Sequence, residues 1–237
     1  MELAVLTERY GREREVPGVY LWDPLKEGLE AAVKSLLTLY DQVLLILSKP
    51  PLGTHTPLAE HLVRENPRRL LLYPTPLFGP GLEALAERAG ELAKSLDVPA
   101  LLQELERTER EGRLYLASAS PEHLRALGWL PPAGGMVLGL GFWALFALEG
   151  EALRLPPLPV PEGRLPGVLA GLWGGQYPGR RVRVHLAMGD VPQTWRKELP
   201  ERLQASLRLE RGRVVAPGED LRGRLGPKTL VGFAYPL

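Results

Sequence analysis

The residues with chemistry to offer lie at turns. Between a continuous apolar run, Val43 to Leu47, and a helical pattern over Leu58, His61 and Leu62 stands Ser48-Lys49-Pro50-Pro51-Leu52-Gly53-Thr54. A strand, a short polar turn and a helix start leave main-chain N–H groups and the positive end of a helix dipole directed at the turn, which suits an anion. Thr56 is placed to cap that helix, and Pro57 suits its first turn. An ordinary βα turn with no ligand has the same local pattern. Further hydroxyls and cations stand at other turns: Thr7, Ser118, Ser120, Arg224, Lys228 and Thr229. Such donors suit a carboxylate or a phosphate. Trp129, Phe142, Trp143 and Phe146 accompany the most apolar segment, where they fit either a hydrophobic tail or core packing.

Nothing in the chain advertises catalysis. Its 237 residues include no cysteine, which removes disulfides, thiolate nucleophiles, thiolate zinc sites and persulfide chemistry together. The four histidines, His55, His61, His123 and His185, have no metal-ligand spacing. There is no nucleophile elbow, Walker motif or dinucleotide fingerprint. Gly79-Pro80-Gly81 precedes a helix, but Pro80 removes an N–H that a phosphate would need. No pair of carboxylates stands out for acid–base work. A protein that is not an enzyme and carries no cofactor is expected.

No apolar run reaches the roughly 18 residues of a membrane span, and the N-terminus lacks a signal layout, so a cytoplasmic protein is expected. Net charge is +1, unevenly spread: residues 1–150 hold 15 Lys and Arg against 20 Asp and Glu, and residues 151–237 hold 14 against 8. Arg181 and Arg183 alternate with Val182 and Val184, as on a half-exposed strand. The basic excess therefore reads as solvated surface, and no nucleic-acid partner is expected. Scarce Asn and Gln with abundant Pro, Arg, Glu and Leu fit a thermophile's protein or a GC-rich genome.

The elements that must position these residues follow from periodicity. Strands are predicted at Leu3 to Leu6, Val16 to Trp22, Val43 to Leu47, Arg69 to Tyr73 and Arg113 to Ala117, with a polar loop over Tyr10 to Glu15. Helices are predicted from Asp23-Pro24 to Tyr40, after Thr56, from Gly81 to Leu96, and from Asp97 to about Glu111. This β-α-β-α order is the mark of a parallel sheet with helices on both faces. The character changes at the breaker cluster Pro131-Pro132-Ala133-Gly134-Gly135. Met136 to Leu148 follows, then a hairpin turn at Glu149-Gly150, a short helix around Val168 to Trp173, and a strand from Arg181 to Ala187. A helix capped by Asp190 and broken near Pro200 comes next, then strands at Arg213 to Val215 and Thr229 to Tyr235.

In order and spacing these features resemble the DegV family of fatty-acid-binding proteins. Leu6-Thr7-Glu8-Arg9 stands where that family has a strand ending T-D-S. Tyr40-Asp41 precedes the central strand, and Ser48 to Thr54 matches S-S-x-L-S-G-T at Ser48, Gly53 and Thr54. Gly79 and Gly81 match the glycines of S-x-G-x-G. Leu124 to Leu130 resembles L-x-x-G-G-R-I without its arginine. Arg224-Leu225-Gly226-Pro227-Lys228-Thr229 resembles the terminal H-x-G-P-G with Arg for His. The family's T-S-Q-P loop has no counterpart between Val16 and Val43, and its second motif serine is Lys49.

The resemblance covers the whole chain and implies a two-domain α/β fold. A parallel-sheet N-terminal domain over residues 1–119 carries the anion-binding turn, and a mixed α/β C-terminal domain over 120–237 takes a lipid tail. It implies a long-chain fatty acid as ligand and a fatty-acid kinase subunit as partner, to which the carboxylate is presented. The implied ligand-binding residues are Thr7, Ser48, Lys49, Gly53, Thr54, Arg224 and Thr229 for the head. For the tail they are Trp129, Phe142 and Trp143, within and before Met136 to Leu148. Lys49 and Arg224 replace a hydroxyl and an imidazole with cations, and a charge-assisted contact holds a carboxylate comparably well. The alternative is a structural or interaction protein that kept the fold and lost the ligand. A third reading, a sulfur-relay protein of the DsrE kind, rests on a P-x-G-T echo at Pro51 to Thr54 and is opposed by the lack of cysteine.

Overall fold

The computed structural model of the chain describes residues 2–9, 16–50, 52–131, 134–155 and 157–237. The loop expected over Tyr10 to Glu15, Pro51 of the central turn, and Pro132-Ala133 of the breaker cluster lie outside them. Four strands, β1 (Leu3–Glu8), β2 (Val19–Trp22), β3 (Gln42–Ser48) and β4 (Leu70–Thr75), form one sheet in the order β2-β1-β3-β4. Every pair in it is parallel. Parallel neighbours need crossovers, and helices α1 (Leu29–Leu37) and α2 (Thr56–Glu65) supply them, followed by α3 (Pro80–Leu92) and α4 (Val98–Glu111). The unbroken apolar run of β3 reflects burial on both faces: Val43 to Leu47 are all 0–1% exposed.

Leu29, Ala32, Val33 and Leu36 of α1 recur at helical spacing and pack with Leu6, Leu45, Ala59 and Leu62. This helix begins later than its apolar pattern suggested. Asp23-Pro24 instead opens a turn, in which Asp23 accepts the Leu25 N–H at 3.1 Å and leaves Leu25 exposed. Asp97 does cap α4, accepting the Ala100 N–H at 2.9 Å.

The elements up to Arg110 form one compact unit, and Glu111–Leu237 forms another. The second contains, in order, β5 (Arg113–Ser118), α5 (Pro121–Ala126), α6 (Gly134–Gly139), β6 (Phe142–Glu149), β7 (Ala152–Leu153) and β8 (Leu158–Pro161). A 3-10 turn at Glu162–Arg164 then leads to α7 (Leu165–Gln176), β9 (Arg181–Met188), α8 (Trp195–Ser206), β10 (Arg208–Val215), α9 (Glu219–Leu225) and β11 (Thr229–Pro236). Their sheet runs β10-β9-β11-β5-β6-β7, with β8 also on β6. It is mixed, since β10 and β9 are parallel and the other pairs antiparallel.

Strand β5 departs from the boundary expected at residue 119. It reads locally as the next strand of the parallel sheet, yet it pairs antiparallel with β11 and β6 in the second sheet. Asp190 likewise does not cap a helix; α8 starts at Trp195, and Asp190 binds the Arg222 guanidinium at 3.0 Å. Helix α8 also runs unbroken through Pro200 to Ser206.

One face of this sheet packs on α7 and α8: Tyr115, Trp143, Val184 and Leu186 meet Leu169, Trp173, Trp195 and Leu199. Trp173 donates its indole N–H to the Arg113 carbonyl at 3.1 Å. Its ring lies so close to Gly232 that a Cβ there would stand 2.5 Å from Cη2. At the sheet's end, β10 is interrupted by a bulge between Glu210 and Arg213. Gly212 sits in that bulge, where a Cβ would overlap the Val184 carbonyl.

Candidate functional site

In the N-terminal unit the strand order places β1 and β3 side by side, with the chain leaving β1 toward β2 on one side and β3 on the other. Ligands of open parallel sheets bind outside the carboxyl ends of the strands at such a reversal. Thr7 and Glu8 end β1, and Ser48 ends β3. The turn after Ser48 folds back on itself. The Lys49 N–H reaches the Thr75 carbonyl at 2.7 Å, and the Gly53 N–H reaches the Lys49 carbonyl at 2.9 Å. Gly53 lies against the end of β3, where a Cβ would overlap the Ser48 carbonyl, so only glycine fits. Thr56 does not cap α2. It donates its hydroxyl to the Ser48 carbonyl at 2.8 Å and ties the helix start to the strand end.

The structure thus brings Thr7, Ser48, Lys49, Gly53 and Thr54 to one edge, but with unequal chemistry. A carboxylate only accepts hydrogen bonds, so what matters is which protons remain available. The Ser48 hydroxyl donates to the Leu77 carbonyl at 2.8 Å, and the Thr7 hydroxyl donates to the Ile46 carbonyl at 2.8 Å. Thr75, beside them on β4, gives its proton to Glu109 at 2.6 Å, as Tyr73 does at 3.1 Å. Burial pushes the Tyr73 phenol well above its usual range, and the Glu109 carboxylate adds to the effect, so it stays a donor there. Four buried hydroxyls are therefore committed to internal acceptors. The exposed Thr54 hydroxyl is what the turn offers an anion, beside the positive charge of the half-buried Lys49.

In the C-terminal unit, Arg224 and Thr229 come together at the turn from α9 to β11, against the end of β5. Thr229 donates to the Leu225 carbonyl at 2.9 Å, and Ser118 donates to the same oxygen at 3.2 Å. Arg224 is paired with Asp220 at 3.1 Å along α9. Gly226 has φ 85° and lies against Ser120 and His123, and the Lys228 N–H donates to the Ser120 hydroxyl oxygen at 3.2 Å.

The three aromatic residues expected around a lipid tail do not gather. Trp143 is 1% exposed and belongs to the core under α7 and α8. Its ring lies 4.9 Å from Trp195, and its N–H donates to Glu162 at 3.2 Å. Trp129 instead packs on Phe146 at 5.8 Å. Phe146 is three residues beyond Trp143 on β6 and so points to the opposite face, the face Phe142 and Ala144 share. On that second face Leu130, Pro131, Gly134, Val137, Leu138 and Ala144 line an apolar cavity of about 120 Å³. A cavity of about 640 Å³ lies on the Leu145 side, against α7, with Glu149 and Arg154 at its rim. The α6 cavity, with its lining from Leu130 to Ala144, was not legible in the sequence beyond the apolar character of Met136 to Leu148. Among the described residues no three acidic or histidine side chains gather to hold a metal, and no helix is long and apolar enough to cross a membrane.

No family model matches the sequence, and no curated protein matches it by sequence. In fold, it is similar over its whole length to solved structures of DegV family proteins. A fatty-acid-binding DegV family protein from Thermus thermophilus superposes with a TM-score of 0.83 at 20% identity, 100% of each chain being covered. A DegV family protein from Corynebacterium glutamicum gives 0.84 at 14% identity, covering 99% of this chain and 97% of the other. The fatty acid kinase B3 protein of Streptococcus pneumoniae, loaded with linoleic acid, gives 0.74 at 11% identity, covering 100% and 99%. The chain therefore has the α/β fold of the DegV proteins, as the order of its motifs implied.

Proposed function

We propose that this protein binds a long-chain fatty acid and presents its carboxylate to a partner kinase, performing no chemistry itself and working in the cytoplasm. The observation that carries this reading is the full-length match in fold to proteins that bind fatty acids. Thr54 and the positive charge of Lys49 are the groups of the N-terminal turn that this reading assigns to the carboxylate. The cavity beside α6 is the C-terminal unit's apolar offer to an acyl chain. At about 120 Å³ it is below the roughly 300 Å³ at which small-molecule sites begin. Organic extraction of the purified protein followed by mass spectrometry should release a stoichiometric fatty acid. Recovery of none, with no binding of added palmitate, overturns the reading.

A second reading, a protein that keeps the fold without the ligand, is favoured by one observation: the hydroxyls of Thr7, Ser48 and Thr229 are all turned onto main-chain carbonyls. The same extraction decides between the two. For the partner role, a fatty-acid kinase supplied with ATP should form acyl phosphate from the bound lipid faster than from free lipid.

A further inference from the structure

We infer that the cavity against α7 is a separate binding site for a neutral apolar molecule carrying one hydroxyl or carbonyl oxygen, with the Tyr115 hydroxyl as its polar anchor. The inference goes beyond the fatty-acid reading and does not depend on it. Tyr115, Leu145 and Ala147 of the sheet, Leu158 at the edge, and Leu172 and Gln176 of α7 line this space of about 640 Å³. That volume lies within the roughly 300–1,000 Å³ of small-molecule sites. The sheet register accounts for the room. Ala147 pairs directly with Tyr115 across β5 and β6, so only a methyl group stands beside the phenol ring. Leu172 and Gln176, four residues apart, share one face of α7. Leu145 and Ala147 alternate with Ala144 along β6, so this site and the α6 cavity lie on opposite faces of the sheet.

Tyr115 is 6% exposed, and its phenol differs from those of the other buried tyrosines. Tyr73 donates to Glu109 at 3.1 Å, Tyr177 donates to the Ala234 carbonyl at 2.9 Å, and Tyr235 accepts from Arg183 at 3.2 Å. The Tyr115 ring is held edge-to-face by Trp173, with centroids 5.4 Å apart, but its hydroxyl neither gives nor accepts a hydrogen bond among the described residues. Buried phenols normally find a partner. Here the open side is the cavity that Tyr115 lines, so the partner is a ligand oxygen. Burial pushes the pKa of this phenol up, opposed by Arg113 and assisted by Glu149. The hydroxyl therefore keeps its proton and can both donate and accept. The charged groups at the rim, Glu149 and Arg154, pair with each other at 3.4 Å. An anionic head group finds no uncompensated cation in this lining, whereas an uncharged oxygen is matched by Tyr115.

The probe is 1-decanol, titrated into the full chain with one equivalent of palmitate present. Wild type should bind one equivalent of decanol, and the ring resonances of Tyr115 should shift as it does so. Decanoate, which has the same tail and a charge, should leave those resonances unmoved. Tyr115→Phe should weaken decanol by about 2–10-fold, the worth of a neutral hydrogen bond. It should leave the melting temperature of the unliganded protein within about 2 °C of wild type, because the hydroxyl serves no internal partner. Leu172→Trp, which fills the space from the α7 side, should weaken decanol by about 10-fold or more and leave palmitate affinity unchanged. Absent decanol binding, Tyr115 resonances that do not respond, or undiminished affinity in both variants overturns the inference. A larger fall in melting temperature for Tyr115→Phe also overturns it, since the hydroxyl would then belong to the fold. Displacement of decanol by palmitate marks one shared site and overturns it as well. A protein that takes decanol at Tyr115 and binds no palmitate refutes the fatty-acid reading alone.

Discussion

Replacing Ser48 by Ala tests whether the hydroxyl at the end of β3 belongs to the ligand or to the fold. Its motif position would make it a carboxylate donor, but the structure makes it a staple. Ser48 is 1% exposed and donates to the Leu77 carbonyl at 2.8 Å, across the connection from β4 to α3. Removing the hydroxyl leaves that carbonyl without its donor, at a cost of about 1–3 kcal/mol. The volume change is small, so no cavity cost of consequence is added. In a domain of this size each 1 kcal/mol lowers the melting temperature by about 2–8 °C, so calorimetry should resolve the loss. Palmitate affinity measured well below the transition should stay within about 2-fold of wild type, because no proton is withdrawn from the ligand. A variant with unchanged melting temperature and a tenfold or greater loss of palmitate affinity would refute the reasoning, since the proton would then be spent on the carboxylate.

Three further outcomes are expected. Lys49→Ala should weaken palmitate by about 10-fold or more, as titration calorimetry would show. Trp143→Ala should destabilise the protein by about 3–5 kcal/mol; a melting temperature near wild type would show that the ring lies outside the core. His185, 2% exposed on β9, has its pKa lowered to about 3, by burial first and then by Arg213 and Arg183. An unfolded histidine titrates near 6.5, so between about 6.5 and 3 the unfolded chain binds the extra proton and stability falls as pH falls. His185→Phe should flatten that slope in acid melting experiments; an unchanged slope would mean that other groups produce it.

Much of the fold was legible because it is written locally. The run Val43 to Leu47, buried on both faces, could only be an interior parallel strand. The helix cap at Asp97 and the hairpin turn at Gly150, which has φ 62°, follow from residue type alone. What was not legible depends on partners far away in the chain. Strand β5 follows a helix as β3 and β4 follow theirs, and only its pairing with β11 places it in the other sheet. The separation of Trp143 from Trp129 is a matter of register, which a segment as uniformly apolar as Met136 to Leu148 does not encode by alternation. Helix α9 is not legible because seven residues flanked by Pro217-Gly218 and Gly226-Pro227 carry too little periodicity. The turn from Ser48 to Thr54 is legible from its place between an apolar strand and a helix start. That Ser48 is occupied and Thr54 exposed depends on the position of the Leu77 carbonyl, which no local pattern reveals.

The bulge in β10 bears on how this protein behaves at high concentration. This strand ends the larger sheet, and the main-chain groups along its outer side form a ladder onto which another chain could add. Glu210 is drawn inward by Arg181 and Arg183, and the shift of register between Glu210 and Arg213 breaks the even spacing that an added strand must match. An interrupted and charged border of this kind is a poor template. The sheet can therefore end in solvent without recruiting copies of itself, and a substitution that restored regular pairing at Gly212 would expose the protein to end-to-end stacking.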